Sequence, residues 1–303
     1  MADPPPGVQR DYPLARLTTI RTGGPAELFA RPGSLPELER LLGWAREEGL
    51  QVGVVGSGSN LLIADAGVPG LVLKLDKSLT EIELEETHIH CGGAARLPTV
   101  AARAAQAGLT GIEFGVSIPG TVGGAVRMNA NAYGGELARV LEWVDIATGS
   151  GTMRRTPREL GFAYRRSSLG PYEIVARASF RLERGQPAEV KATLADLRAR
   201  RKAAQPTGVK TFGSTFKNPE SDGGRTAGQL LDEAGCRDLR IGGAGFSEKH
   251  ANFVVNHGDA STADVVAVMA EGWRRVRERF GIELDPEVQA LGPVEFPAEW
   301  KLG

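Results

Sequence analysis

Cysteine is scarce in this chain. Two occur among 303 residues, Cys91 and Cys236, far apart and in no Cys-x-x-Cys, which points away from a disulfide scaffold and toward a reducing compartment. A dominant charge is lacking too. Thirty-six Lys and Arg face 37 Asp and Glu, so the bulk electrostatics that draw proteins to nucleic acid or anionic membrane are missing, and neither partner is expected. No apolar run approaches the eighteen or so residues of a membrane span. The opening MADPPPGVQRDY lacks the basic-then-apolar pattern of a signal peptide, so a cytoplasmic location is expected; Pro4 to Pro6 read as a disordered lead-in. Tandem repeats, a Walker loop and a Gly-x-Ser-x-Gly elbow are also absent.

What is present is length for two or three domains and a core of ordinary size. AELFARP alternates like a strand. Ser34 can then cap a helix carrying leucines at 35, 38, 41 and 42, which ends near Gly49 before the strand VGVVG. Strand-like stretches follow at GLVLKLD, TEIELEETHIHCGG, LEWVDIATGSGTMRR and EIVARASFRLERG, with a small-residue helix near PTVAARAAQAG. AEVKATLADLRARRKAAQP is a helical connector stopped by Pro206, and beyond it come TFGSTFKNP, a helix at AGQLLDEAG, the strand ANFVVNHG and a helix opened by Ser261 or Thr262 and running to Phe280. Strands and helices mix without strict alternation, which makes the fold class α+β.

VVGSGSNLLIAD, Val54 to Asp65, breaks an apolar run with small residues. A dinucleotide fingerprint fails here, because Leu61 holds the third glycine position and Gly67, Pro69 and Gly70 forbid the required helix. Any phosphate would therefore sit in a nest of successive N–H groups between strands. A second cluster, Pro119-Gly120-Thr121-Val122-Gly123-Gly124-Ala125, precedes Asn129-Ala130-Asn131-Ala132-Tyr133-Gly134-Gly135. Two such clusters can let backbone approach one long ligand at two places; each alone can equally be a set of turn glycines.

Tyr164, Arg165 and Ser167 stand together in FAYRRSS, where the arginine could meet a carboxylate bidentately or face solvent. GSTFKNP offers Ser214, with Lys217 and Asn218 suited to phosphate or sugar, or it is an ordinary polar turn. Glu287 lies on a short strand in DPEVQALG. His88 and His90 share a strand face without a third and fourth ligand in view, so no metal is expected. His250 and His257 flank an apolar strand and read as structural.

The ordered set TIRTGGPA, VGSGSNLL, IPGTVGGA, NANAYGGE, YRRS, GSTFKNP, KHANFVVN and PEVQALG resembles the UDP-N-acetylenolpyruvoylglucosamine reductase family of bacterial peptidoglycan synthesis over nearly the whole chain. The resemblance implies bound FAD, NADPH as hydride donor and the enolpyruvyl ether of UDP-N-acetylglucosamine as substrate. It further implies a vanillyl-alcohol-oxidase-type FAD-binding domain in two parts, residues 1–66 and 67–205, followed by a C-terminal α+β substrate-binding domain, 206–303. Gly56, Ser57, Gly58, Ser59 and Asn60 match the pyrophosphate nest. Pro119, Gly120, Thr121, Gly123, Gly124 and Asn129 match the cofactor's other side. Arg165 and Glu287 match the residues acting on the substrate carboxylate, Ser214 matches the proton donor, and Tyr164, Lys217 and Asn218 are expected to touch substrate. Between Arg165 and Ser214 there is room only for a strand and the connector helix, so the chain resembles the shorter of the family's two forms, without the substrate-covering tyrosine loop. A bulky residue at Gly58 is expected to give folded, colourless protein. An oxidase of the same fold, or a non-catalytic binder of FAD or nucleotide sugar, is the alternative.

Overall fold

The computed structural model describes residues 3–219 and 224–300. The chain divides into two compact units, each gathered from separate stretches: Met1–Arg10, Leu28–Ser57 and Gly70–Arg201 form the first, and Asp11–Glu27, Gly58–Pro69 and Lys202–Gly303 the second. The last crossing falls inside the connector helix Pro187–Ala204. Four earlier crossings are a connectivity that consecutive segments do not convey. Pro4–Pro6 departs from the expected disorder: the Val8 N–H donates to the Pro5 carbonyl (3.3 Å), and Val8 packs on a hydrophobic core.

The first unit is built around a five-stranded antiparallel sheet in the order Gly151–Arg155, Leu141–Thr148, Ile174–Arg181, His88–Gly92, Ile82–Glu85. Its central strand, IVARASFR, supplies two cores. Val175, Ala178 and Phe180 pack with the helices Leu97–Gln106 and Val122–Arg127, while Ile174 and Ala176 join Leu28, Leu38, Leu41 and Leu42. Near-continuous apolar sequence is what a strand covered on both faces requires, and each large side chain so buried stabilises the fold by roughly 1.5–3 kcal/mol. Ser34 caps the helix Leu35–Glu47 as expected, its Oγ accepting from the Glu37 N–H. Val52–Val54 pairs in parallel with Val68–Leu73 and ends at the glycine-serine loop.

In the second unit the helix Thr262–Phe280 lays Val265, Val268, Met269, Trp273 and Val276 into a core shared with the helix Ala227–Glu233 and a three-stranded sheet, Arg240–Ile241, Ala244–Phe246 and Val254–Asn256. Leu61–Ile63 pairs in parallel with Gln289–Leu291, joining stretches more than two hundred residues apart. The long helix is capped twice. Ser261 and Asp264 form a reciprocal capping box, and the Asp65 carboxylate accepts from the N–H groups of Thr262 and Ala263, both at 2.9 Å. An acceptor for orphan N–H groups, placed at the positive end of the helix dipole, stabilises a helix by about 1 kcal/mol. Among the described residues no helix is long and apolar enough to cross a membrane.

Because Asp65 ties the loop Gly58–Pro69 to that helix, Asp65→Ala should lower the stability read from urea unfolding by about 1–2 kcal/mol. Asp65→Asn, which keeps one acceptor, should recover part of it. An unchanged midpoint in Asp65→Ala would show that the capping box alone holds the helix end.

Candidate active site

In the first unit the two glycine clusters converge. The Ser57 hydroxyl donates to the Pro119 carbonyl at 2.7 Å. A Cβ on Gly56 would lie 2.5 Å from Thr121 Oγ1, so only glycine admits this approach. Thr121 in turn caps the helix Val122–Arg127, accepting from the Gly124 N–H. Lys74, absent from the expected site, closes the strand Val68–Leu73 and donates from Nζ to the Gly56 carbonyl at 2.5 Å. Its pKa is lowered, first by burial and then by the neighbouring positive charges of Arg31 and Arg96. Its only signal in the sequence is a lysine ending an apolar strand.

Gly120 and Gly124 differ from Gly56. Neither has a positive φ, and a Cβ on either would meet nothing nearer than 3.5 Å. Neither the backbone nor the packing of the protein requires glycine there, although Gly124 weakens its helix. Glycines left open beside a point where two loops meet suit close approach by an external ligand.

Asn129 is held by the protein itself. It is 1% exposed, and its amide is engaged by the protein, donating to Glu136 Oε1 (2.7 Å) and the Ala163 carbonyl (3.3 Å) and accepting from the Ala138 N–H. It ties together the loops on which Asn131 and Tyr164 sit.

Tyr164 and Arg165 occupy a two-residue turn closed by reciprocal hydrogen bonds between Ala163 and Arg166. Arg165 has φ 56°, a left-handed conformation costing a non-glycine residue roughly 1–2 kcal/mol. Its Nη1 donates to the Asn131 carbonyl at 3.2 Å, and its guanidinium stacks 5.3 Å from the Tyr164 ring centre. Tyr164 borders an open depression of about 300 Å³ together with Asn131, Gly134, Gly135, Glu136 and Arg139.

In the second unit Ser214, Ser59, Asn60 and Glu287 come together. Gly213, at φ 90°, brings the chain against the Ser59 carbonyl. Ser214 bridges Phe253, and the Glu287 N–H donates to the Thr215 carbonyl at 2.9 Å. Asn60 then holds the segment 287–289 at two points. Its Nδ2 donates to the Glu287 carbonyl (3.2 Å), and its own carbonyl accepts from the Gln289 N–H (3.0 Å). A Cβ on Gly58, with φ 67°, would fall 2.1 Å from the Leu17 carbonyl oxygen. That overturns the expectation of a folded variant with a bulky residue there, since substitution would collide with backbone. The Lys217 N–H donates to the Asp285 carbonyl. Asn218 Oδ1 accepts from the Ala227 N–H at 3.1 Å and so serves the start of a helix.

The histidines have structural surroundings. His90 stacks on Trp143 with ring centres 5.5 Å apart and lies 3.4 Å from Glu85, and His88 lies 3.5 Å from Glu142. Burial lowers the pKa of His250, whose Nδ1 accepts from the Asn252 N–H. Burial also pushes the thiols of Cys91 and Cys236 up, to about 12 and about 11, and neither is bonded to another cysteine. Among the described residues no cluster of three His, Cys, Asp or Glu is arranged to hold a metal.

Residues 26–157 match a model of an FAD-binding domain, and together with the reductase relatives that follow this makes the chain a flavoprotein oxidoreductase. Residues 205–291 match the C-terminal domain of UDP-N-acetylenolpyruvoylglucosamine reductase. The chain is 44% identical to the enzyme of that name from Acidiphilium cryptum, over 93% of this chain and 90% of that one. It is 41% identical to that from Rubrobacter xylanophilus, over 95% and 96%. The crystal structure of the Thermus caldophilus reductase superposes with a TM-score of 0.81 at 37% identity, covering 94% of this chain and 98% of that one. The chain belongs to the UDP-N-acetylenolpyruvoylglucosamine reductase family. FAD, the cofactor of the matched domain, fits the first unit: Gly120 and Gly124 leave space for it where the two clusters meet, and Lys74 adds positive charge suited to phosphate.

Gly124→Ala separates binding from folding. The apoprotein should be as stable as the parent or up to about 1 kcal/mol more stable, because alanine favours an exposed helix. FAD affinity, measured by quenching of flavin fluorescence, should fall about tenfold to a hundredfold through overpacking of 1–3 kcal/mol. Unchanged affinity would place the cofactor away from this helix.

Proposed function

We propose that this protein is an NADPH-dependent, FAD-containing reductase converting UDP-N-acetylenolpyruvoylglucosamine to UDP-N-acetylmuramate, a cytoplasmic step in peptidoglycan precursor synthesis. In this reading the FAD-binding part, of the vanillyl-alcohol-oxidase type, spans residues 1–205 in two portions meeting near residue 66, and residues 206–303 bind substrate. The observation that carries the reading is the short backbone ladder of the second unit, which fixes Ser214 beside Glu287.

FAD, when bound, would supply the hydride chemistry, carrying hydride from NADPH to the terminal methylene of the enolpyruvyl group. The electron pair of the double bond then moves onto the neighbouring carbon and, by conjugation, into the carboxylate. Arg165 is a fixed cation whose orientation is set by its turn and by the Asn131 carbonyl, so its attraction grows as that charge develops. Glu287 acts at the same carboxylate as a protonated donor or by orienting the arginine. Ser214 supplies the proton to the carbon bearing the carboxylate. A serine hydroxyl is a weak acid, but the enolate-like intermediate is a strong base. Tyr164, Lys217 and Asn218 contribute to holding substrate.

The two half-reactions separate these roles. Purified protein should be yellow, bleach anaerobically with NADPH and recover its colour with the enolpyruvyl substrate. Ser214→Ala should bleach at nearly the parental rate and recover about a hundredfold to ten-thousandfold more slowly, the value of a positioned proton donor. Arg165→Ala and Glu287→Ala should slow the same half-reaction about a hundredfold to a thousandfold. Recovery of Ser214→Ala at the parental rate would remove Ser214 from the chemistry, and a protein that NADPH cannot bleach would overturn the reductase reading.

A further inference from the structure

The residues on either side of Ser214 receive backbone hydrogen bonds of an ordinary kind, except in one place. The Thr215 N–H donates to the Asn252 carbonyl at 2.8 Å, and Ser214 faces Phe253 in an antiparallel bridge. On the other side Phe216 faces Pro286, and the Lys217 N–H donates to the Asp285 carbonyl. The strand carrying Asn252 cannot continue past that residue. It turns back there, the Phe253 N–H bonding the His250 carbonyl and the Asn252 N–H bonding His250 Nδ1. Phe216 is therefore left without a backbone partner on that side. The Asn252 side chain fills the gap. Its Oδ1 accepts from the Phe216 N–H at 2.9 Å, and its Nδ2 donates to the Phe216 carbonyl at 2.8 Å. A primary amide has the donor and acceptor of a peptide group, so this one side chain extends the ladder by one residue. Asn252 is 4% exposed and Phe216 1%, so water cannot substitute.

We propose that Asn252 is a positioning residue for the reaction, fixing the Ser214 hydroxyl by acting as the missing strand two residues along. Asn252 reaches the chemistry only through the Ser214–Phe216 backbone. The inference rests on the reading of Ser214 as proton donor. Ser214 follows Gly213, a positive-φ glycine that gives the chain torsional freedom, so the ladder beyond it is what holds the serine to one orientation. A donor displaced by about 1 Å can lose on the order of a hundredfold in rate.

The test is a double-mutant cycle on flavin-loaded protein. Asn252→Asp keeps an acceptor for the Phe216 N–H but sets a carboxylate oxygen against the Phe216 carbonyl. Asn252→Gln keeps both groups and shifts them by one methylene, and it serves where the aspartate variant does not fold. Flavin content and bleaching by NADPH should stay near the parental values. Recovery of colour with the enolpyruvyl substrate should slow by about tenfold to a hundredfold, with KM for that substrate nearly unchanged. In apoprotein, amide hydrogen exchange at Phe216 should quicken. In the Ser214→Ala background, adding either Asn252 substitution should slow recovery no further, because the positioned group is gone. Equal additional slowing in that background, or parental recovery in a folded variant whose Phe216 amide exchanges faster, would overturn the inference. If Ser214→Ala alone recovers at the parental rate, the proton-donor reading fails first and the inference falls with it.

Discussion

The parallel pairing of Leu61–Ile63 with Gln289–Leu291 is the contact on which the placement of Asn60, Glu287 and Ser214 in the second unit depends. It brings Asn60 to the Glu287 carbonyl and the Gln289 N–H, and Glu287 in turn bonds Thr215 beside Ser214. From Asn60 to the residue after Ser214 runs one connected set of hydrogen bonds. Each is individually worth only about 1 kcal/mol net, but a buried partner left unmade costs about 1–3 kcal/mol. Misplacing any member therefore disturbs the others. Asp65 and Thr262 reinforce the pairing from outside, the Thr262 hydroxyl donating to the Ile63 carbonyl at 2.6 Å.

Glycine serves two purposes in these loops, and they can be told apart only with neighbours in view. Gly56 and Gly58 permit close approach of one part of the protein to another, at Thr121 and at Leu17. Gly120 and Gly124 meet no such limit. The sequence shows the same residue in each case. What it cannot show is whether the space beside the Cα belongs to the fold or to a ligand.

Elements with a local cause were legible in the sequence. Ser34 and Ser261 cap the expected helices, Pro206 follows the end of the connector helix Pro187–Ala204, and the alternating and doubly apolar runs form strands. The α+β class and the family followed from those elements and from the order of the motifs. Features with a distant cause were hidden. Nothing around Leu61 reveals that Gln289 will pair with it, so the interleaving of the two units was out of reach. Nothing in the sequence shows that the Asn129 side chain will bond Glu136 or that the Asn218 side chain will bond the Ala227 N–H. Lys74 shows in the sequence only as a lysine closing an apolar strand, and Asn252, though inside the motif KHANFVVN, carries no sign there of its bonds to Phe216.

The interleaved connectivity bears on how the chain acquires its structure during synthesis. The segment Gly58–Pro69 belongs to a unit most of which lies after Arg201, and its strand partner begins at Gln289. A ribosome making the chain from the N-terminus releases Leu61–Ile63 long before Gln289 has been translated. During that interval an apolar strand edge has no native partner, the kind of exposure that invites wrong pairing. Closing a loop of this length is also an entropically unfavourable, late event. Completion of the second unit thus waits on the synthesis of Gln289: a chain stopped before Glu287 lacks both that residue and the strand that holds Asn60 in place.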